Sequence, residues 1–376
     1  GCRLIAEAET GYFFAGWYAD ARYTECIART RILDYRPQEL RNALYARFVA
    51  CGAPLDTDGT ANCYIARSLN SAYSFDATTM GNGRTTPDIK PAKLAGTEAR
   101  ILWETGSERG AVIRAVEYDK GRIYFETGHK SGNALIGLFD AAGTCVWSWH
   151  IWSPNSDPTR YTMTSSTGAV FMDRNLGALN NTPMDVGNRG MFYEWGRKDP
   201  FTPSRSPYHA DTDGNNVPAY NEPNTAIGDG TGTWVYNAQA AVLATPPANI
   251  PNSILNPMTY LQSPYNGHAD WYCTGTDPKA THPGLWGPEK TIFDPCPPGW
   301  RVPPPEAWTL EQTTVSSTIE GGCYLYTGSV WPYYPYAGLL HVMPTGKEMY
   351  VGVGIRTQLW TNAPGSPASD PSRVDA

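Results

Sequence analysis

Hydrophobic and polar positions alternate along most of the first 155 residues with the period of two expected of half-buried strands. The opening Arg3-Leu-Ile-Ala-Glu-Ala predicts a strand that turns at Glu9-Thr-Gly11. Tyr12–Tyr18 predicts a second. The run Leu40–Val49, with Leu40, Asn42, Leu44, Ala46 and Phe48 on one face, predicts another. A polar, turn-rich connector at 52–60 marks a boundary. Seven short strand candidates follow it at 62–66, 72–76, 99–104, 111–116, 122–126, 133–139 and 145–152, with Gly-bearing turns at Gly81-Asn-Gly83, Asp119-Lys-Gly121, Gly128 and Ala141-Ala-Gly143. Seven strands at that spacing predict a β-sandwich over 51–155. In the last of them Trp147, Trp149 and Ile151 share one face while Ser148, His150 and Trp152 share the other. His150 has no second His or Cys near it in sequence and is expected as a satisfied interface residue.

Beyond residue 155 the periodicity breaks. Val170-Phe-Met-Asp-Arg-Asn-Leu-Gly-Ala178, Met191-Phe-Tyr-Glu-Trp-Gly-Arg-Lys-Asp-Pro-Phe201 and Phe293-Asp-Pro-Cys-Pro-Pro-Gly-Trp-Arg-Val-Pro303 are dense in aromatics, Gly, Pro and charge. Such segments pack as irregular structure whose Trp and Tyr bodies fill space. Short helices are expected at 190–195 and 305–312, the second from Pro and an acid in a first turn.

Composition narrows the class. Charged residues are 17% of 376, against 37 Gly, 32 Pro, 23 Tyr and 13 Trp, a profile of loop-rich, β-dominated exported proteins. A net charge of −7 argues against nucleic acid or an anionic membrane as partner. No apolar run approaches the roughly 18 residues of a membrane span, so no transmembrane segment is expected. The eight cysteines form no CxxC pair, which argues against zinc ribbons and thioredoxin-like chemistry. Buried free thiols are expected, with one or two bridges as the alternative, Cys273, Cys296 and Cys323 sharing one region.

Three resemblances bear on architecture. Gly11-Tyr-x-Phe-x-Gly-Trp-Tyr18 with Tyr45-Ala-Arg-Phe48 resembles the β-grasp-like repeats of bacterial surface proteins, of the internalin B-repeat kind, which implies a spacer or adhesion module in 1–50. Those repeats begin with one further strand, so the chain is expected to have been cut from something longer. Ala61-Asn-Cys-Tyr-Ile65, Gly81-Asn82, Gly121–Thr127 and Trp147–Trp152 resemble a sandwich module of Bacteroidetes surface proteins. Met172–Ala178, Phe192–Phe201 and Asp294–Pro303, followed in order by Tyr336-Ala-Gly338, Thr345-Gly346 and Leu359-Trp-Thr-Asn362, resemble the Fibrobacter-type major paralogous domain. That family is similar to C-type-lectin-like folds and to the formylglycine-generating enzyme fold. The family's closing strand of Gly-x-Ser-Val-Arg-Cys type is expected to be missing here, through trimming or through β-augmentation by another chain. The fold class that results is mainly β and multidomain: a β-grasp-like repeat (1–50), a β-sandwich (51–155) and an α+β C-type-lectin-like domain (156–376).

Candidate sites are few. Asp211, Asp213 and Asn215 stand at positions 1, 3 and 5 of a calcium-type loop with Glu222 at position 12, an oxygen pattern that Ca²⁺ coordination uses. Against it, Asn216 replaces the position-6 Gly, Pro218 lies inside, and no helices flank it, so a solvated polar loop is the competing reading. Glu222-Pro-Asn224 matches a lectin sugar-binding tripeptide, but no Trp-Asn-Asp accompanies it and it reads as coincidence. Within Ser329–Tyr336, Trp331, Tyr333 and Tyr334 form either core or an exposed platform for sugar faces or protein partners, Pro332 and Pro335 keeping part of the run out of regular ladders. No nucleophile elbow, HExxH, P-loop or GxGxxG occurs, and Cys296 and Cys323 do not match the copper-binding cysteine motif of the enzyme relatives. The resemblances imply a secreted or outer-membrane-associated cell-surface protein of adhesion or recognition, such as a fimbrial (pilus) tip subunit, with a glycan or host surface protein and other pilus or surface subunits as expected partners and no enzymatic role expected. The alternatives are a structural pilin-type subunit without ligand and a surface enzyme on the lectin-like fold. The three signature blocks are expected to be scaffold, with specificity in the insert near 205–290 and the loops around 329–362.

Overall fold

The computed structural model describes residues 1–36, 43–87, 89–105, 108–203, 217–218, 225–227, 249–259, 261, 282–308, 318–319, 321–324, 333–342, 348–354, 357–363 and 373–375. The chain is mainly β, with very little helix. None of the described helices is long and apolar enough to cross a membrane.

The first fifty residues form β1 (Cys2–Ile5), β2 (Tyr12–Tyr18), β3 (Cys26–Ala28), β4 (Ile32–Tyr35) and β5 (Tyr45–Ala50). Strands β1 and β4 pair antiparallel, and β2 lies between β3 and β5. The strand expected from residue 40 begins at Tyr45, and positions 40–42 lie outside the described residues. A bulge between Phe14 and Gly16 interrupts the alternation of β2. Both its faces are covered: Phe14 and Trp17 pack inside this unit, while Phe13 and Ala15 meet Ala115 of the next. Polar clamps reinforce that contact. The Phe14 amide donates to Glu117 Oε2 at 2.6 Å, and Arg47 forks onto Glu126 at 2.6 and 2.8 Å.

All seven strands expected between 51 and 155 form, preceded by the short β6 (Ala53–Pro54): β7 (Cys63–Ile65), β8 (Ala72–Asp76), β9 (Glu98–Thr105), β10 (Ile113–Asp119), β11 (Arg122–Thr127), β12 (Gly132–Phe139) and β13 (Cys145–Ser153). They build two sheets, β10-β11-β8-β6 and β9-β12-β13-β7, lying face to face. Tyr64 stacks on Phe75 with centroids 4.6 Å apart, and Phe75 meets Trp149 at 5.3 Å, so the two inner faces interdigitate. The β10–β11 hairpin closes through Lys120 and Gly121, both at positive φ, the two-residue turn whose twist matches paired strands.

The remainder is irregular, as expected, with short strands: β14 (Met163–Thr164), β15 (Val170–Phe171), β16 (Val217–Pro218), β17 (Thr225–Ile227), β18 (Thr318–Ile319), β19 (Gly322–Tyr324), β20 (Tyr333–Pro335), β21 (Leu339–Val342), β22 (Glu348–Val351), β23 (Gln358–Trp360) and β24 (Arg373–Asp375). One α-helix, α1 (Asn249–Leu255), occurs among the described residues. Two helix expectations are corrected. No helix forms at 190–195, because Gly190 and Gly196 both sit near φ +80° and bracket a segment too short to nucleate one; Phe192 instead bridges to Phe201. Arg373–Asp375 pairs antiparallel with Gln358–Trp360. The helix expected at 305–312 is a 3-10 turn over Pro305–Trp308, positions 309–312 lying outside the described residues.

Residues 51–155 and 156–376 meet through one continuous core. Trp195, Leu285, Trp286, Ile292 and Phe293 join the cluster that holds Trp147, Trp149 and Ile151, and β17 adds an antiparallel edge to β9. The alternation read for 147–152 holds in space. Trp147, Trp149 and Ile151 face the inter-sheet core, while Trp152 turns outward onto Met172 and Leu176.

Candidate functional site

A cavity of about 610 Å³ opens where the irregular segments converge. Its wall is assembled from Val170–Leu176, Met191–Tyr193, Pro295–Pro304 and the late residues Tyr333, Tyr334 and Gln358–Trp360. The three signature blocks, expected to be scaffold alone, therefore supply much of the wall. Local rules explain how they come together. Gly190, at φ +80°, lies so close to Asn175 and Leu176 that a Cβ there would contact Asn175 Cβ at 2.8 Å, which sets the first block against the second. In the third block Asp294 is the organiser, accepting from Lys290 Nζ and the Cys296 amide at 2.8 Å each and from the Val302 amide at 3.0 Å. The Lys290 ammonium also donates to the carbonyls of Cys296 and Trp300, both at 2.8 Å, so all three of its protons are used.

Tyr333 and Tyr334 are buried at 8% and 5% exposure, so they belong to the cavity wall and not to an exposed platform. The reason is that Tyr333–Pro335 pairs with β19, with Pro335 at the strand end where its lacking N–H is tolerated. Trp331 lies outside the described residues, as do Asp211, Asp213, Asn215 and Glu222 with their expected Ca²⁺ loop. Among the described residues no group of three or more His, Cys, Asp or Glu could hold a metal ion. The seven described cysteines form no disulfide with one another.

The wall is aromatic with a cationic bias. Phe171 meets Trp308 with ring centroids 4.8 Å apart, and Trp308 meets Tyr334 edge-on at 5.7 Å. Among the described ionisable residues of the wall, Arg174, Arg189, Lys290 and Arg301 are basic and Asp173 is acidic. Arg174 is fully engaged: it forks onto Asp173 at 2.6 and 2.8 Å and reaches the Leu179 carbonyl and Ser156 Oγ, both at 2.8 Å. Arg301 is exposed, and among the described residues its guanidinium meets only the Pro288 carbonyl. The Trp308 indole N–H is buried with no acceptor.

Behind the cavity, two polar groups that sequence reasoning did not connect join the signature blocks to β13. Lys198 Nζ and Asp199 Oδ1, 2.7 Å apart, both bond Ser148 Oγ, the Ser148–Asp199 contact measuring 2.6 Å. All three residues are essentially inaccessible, and none lines the cavity. Burial pulls the Lys198 ammonium down from its ordinary value, opposed by the adjacent Asp199 carboxylate. This serine beside a lysine serves as a buried tie. The second group is His150, which emerges as the satisfied interface residue expected. Its Nε2 lies 2.9 Å from Asn133 Oδ1, and Asn133 spends its amide donor on the Gly177 carbonyl at 2.8 Å. Nε2 must therefore carry the proton, leaving Nδ1 to accept from the Tyr193 hydroxyl at 3.4 Å. Burial pushes this imidazole down to about 3, so it stays neutral. The period-two reading found the face of His150, but its partners lie 17 and 43 positions away, beyond any local signal.

Comparison with known protein families, with curated proteins and with solved structures returns no match to this chain.

Proposed function

We propose that this chain is a cell-surface recognition or adhesion protein, in which two β modules present a C-type-lectin-like domain and the cavity of that domain receives the ligand. A tip position on a pilus or related surface appendage fits such a display architecture, with a glycan or a host surface protein as partner. The observation that carries the reading is the cavity itself. It has the size of a small-ligand site and is walled by aromatic rings with a few fixed polar groups, the usual make-up of a recognition pocket.

The test is a glycan array probed with the full chain, alongside Trp300→Ala and Phe171→Ala. Both side chains line the cavity and are only partly buried, so truncating them leaves the deeper core in place. The expected result is binding to a defined glycan set that falls about tenfold or more in both variants, as loss of a stacked ring predicts. Binding that survives both truncations, or binding to no glycan at all, would overturn the assignment of the cavity as a glycan site.

A further inference from the structure

We infer that the cavity takes an acidic sugar, a pyranose ring that carries a carboxylate. The inference rests on the reading of the cavity as a recognition site and specifies its ligand.

Three features of the wall carry it. The first is charge. A chain of net charge −7 lines this cavity with four basic side chains and one acidic one among its described residues. The acid, Asp173, is consumed by Arg174, and Lys290 is consumed by Asp294, so neither pair sets the ligand's charge. Arg301 is different: it is an exposed residue of the wall, and among the described residues its guanidinium meets one carbonyl and no acid. An arginine fork of this kind matches a carboxylate in two parallel hydrogen bonds. The second feature is the Trp308 indole N–H, buried without an acceptor in a residue that lines the cavity. A buried donor without a partner costs stability, and a small rotation of the ring toward the cavity would let a ligand oxygen relieve it. The third is the run of rings Phe171, Trp308 and Tyr334, whose faces and edges suit the C–H face of a pyranose. Donors and cations with aromatic surface, and few acceptors left over, describe an acidic carbohydrate better than a neutral or cationic one.

The experiment is isothermal titration of the full chain with 3′-sialyllactose and trigalacturonate, each against neutral lactose, using the wild type, Arg301→Gln and Trp308→Phe. Equal thermal midpoints for the three proteins establish that the variants are folded. At least one acidic glycan is expected to bind about tenfold more tightly than lactose, with Arg301→Gln erasing that margin, as loss of a charge-assisted fork predicts. Trp308→Phe keeps a ring but removes the N–H, and is expected to weaken binding several-fold without erasing the preference for acid. Added salt should weaken the wild type more than Arg301→Gln. Lactose binding as tightly as the acidic glycans, or an acid preference untouched in Arg301→Gln, would overturn the inference while leaving the cavity a glycan site. Failure of every glycan to bind would overturn both.

Discussion

The carboxamide of Asn62 donates to the main-chain carbonyl of Ile292 at 2.7 Å, joining positions 230 residues apart. The same nitrogen reaches the Asp294 carbonyl at 2.9 Å, and its oxygen accepts from the Trp147 indole at 3.0 Å. One side chain, 1% exposed, thereby satisfies two carbonyls and a tryptophan at the seam between the sheets and the irregular domain. Gly81 and Asn82 grip the same segment: a Cβ on Gly81 would collide with the Ile292 carbonyl, and Asn82 donates to the Lys290 carbonyl at 2.7 Å. Asn62→Ala strands three buried polar groups at once. The expected outcome is a loss of about 3 kcal/mol in urea denaturation, since each orphaned group costs roughly 1 kcal/mol or more. Unchanged stability would show that the seam does not depend on this residue.

His150 gives the stability a pH dependence. Its imidazole is pushed down to about 3 by burial, against an ordinary value of 6.5. Above pH 6.5 neither the folded nor the unfolded chain is protonated there. Below it the unfolded chain binds a proton that the folded chain refuses, so stability falls by about 1.4 kcal/mol per pH unit until the folded value is reached. Replacing His150 with Gln removes this component. Between pH 7 and pH 5 the wild type should lose about 2 kcal/mol more than the variant. Parallel losses in the two proteins would place the acid sensitivity in other groups.

What the sequence revealed follows from the range of its signals. The strands of 51–155 were legible because alternation and Gly-bearing turns act within a dozen residues, and both inner faces then had to meet. The phrase Trp147–Trp152 displayed its two faces in the same way. What covers the outer face was not legible, since Met172, Leu176 and Ala178 come from an irregular segment without a period. The cavity was hidden for a related reason. Arg174, Asp294 and Lys290 look in sequence like isolated surface charges, and their hydrogen bonds to backbone carbonyls and amides shape the wall. Tyr333 stood open between core and platform because prolines at 332 and 335 pointed to a loop or edge, whereas a three-residue strand needs few donors.

Thiol reactivity should divide by burial. Cys2 and Cys26 are exposed, whereas Cys63, Cys145 and Cys323 are buried. Burial raises the Cys145 thiol to about 12 and pushes Cys63 and Cys323 upward as well, so little thiolate exists at these sites near neutral pH. Iodoacetamide at pH 8, followed by peptide mass spectrometry, should label Cys2 and Cys26 in the native protein and the other three only in denaturant. Early labelling of Cys63 or Cys145 would mean that the inter-sheet core or its seam with the irregular domain opens readily.

The Asp294–Lys290 pair offers a sharper test of how the cavity wall is held. The carboxylate is 1% exposed and fixes a loop through two amides as well as the ammonium, so Asp294→Asn leaves a partly buried lysine with carbonyl partners alone. Breaking such a pair from one side costs about 3 kcal/mol, whereas removing both charges costs less, because no uncompensated ion remains. Lys290→Met combined with Asp294→Asn should therefore be more stable than the sum of the two single losses predicts. A double-mutant cycle in urea should give a coupling of roughly 1–2 kcal/mol. If the pair only neutralises charge, the double variant should also keep the cavity's ligand affinity. If the three bonds from Lys290 Nζ shape the wall, affinity should fall with Lys290→Met alone even where stability is recovered. The geometry favours the second outcome, because two of those three bonds end on the carbonyls of Cys296 and Trp300, both residues of the wall itself.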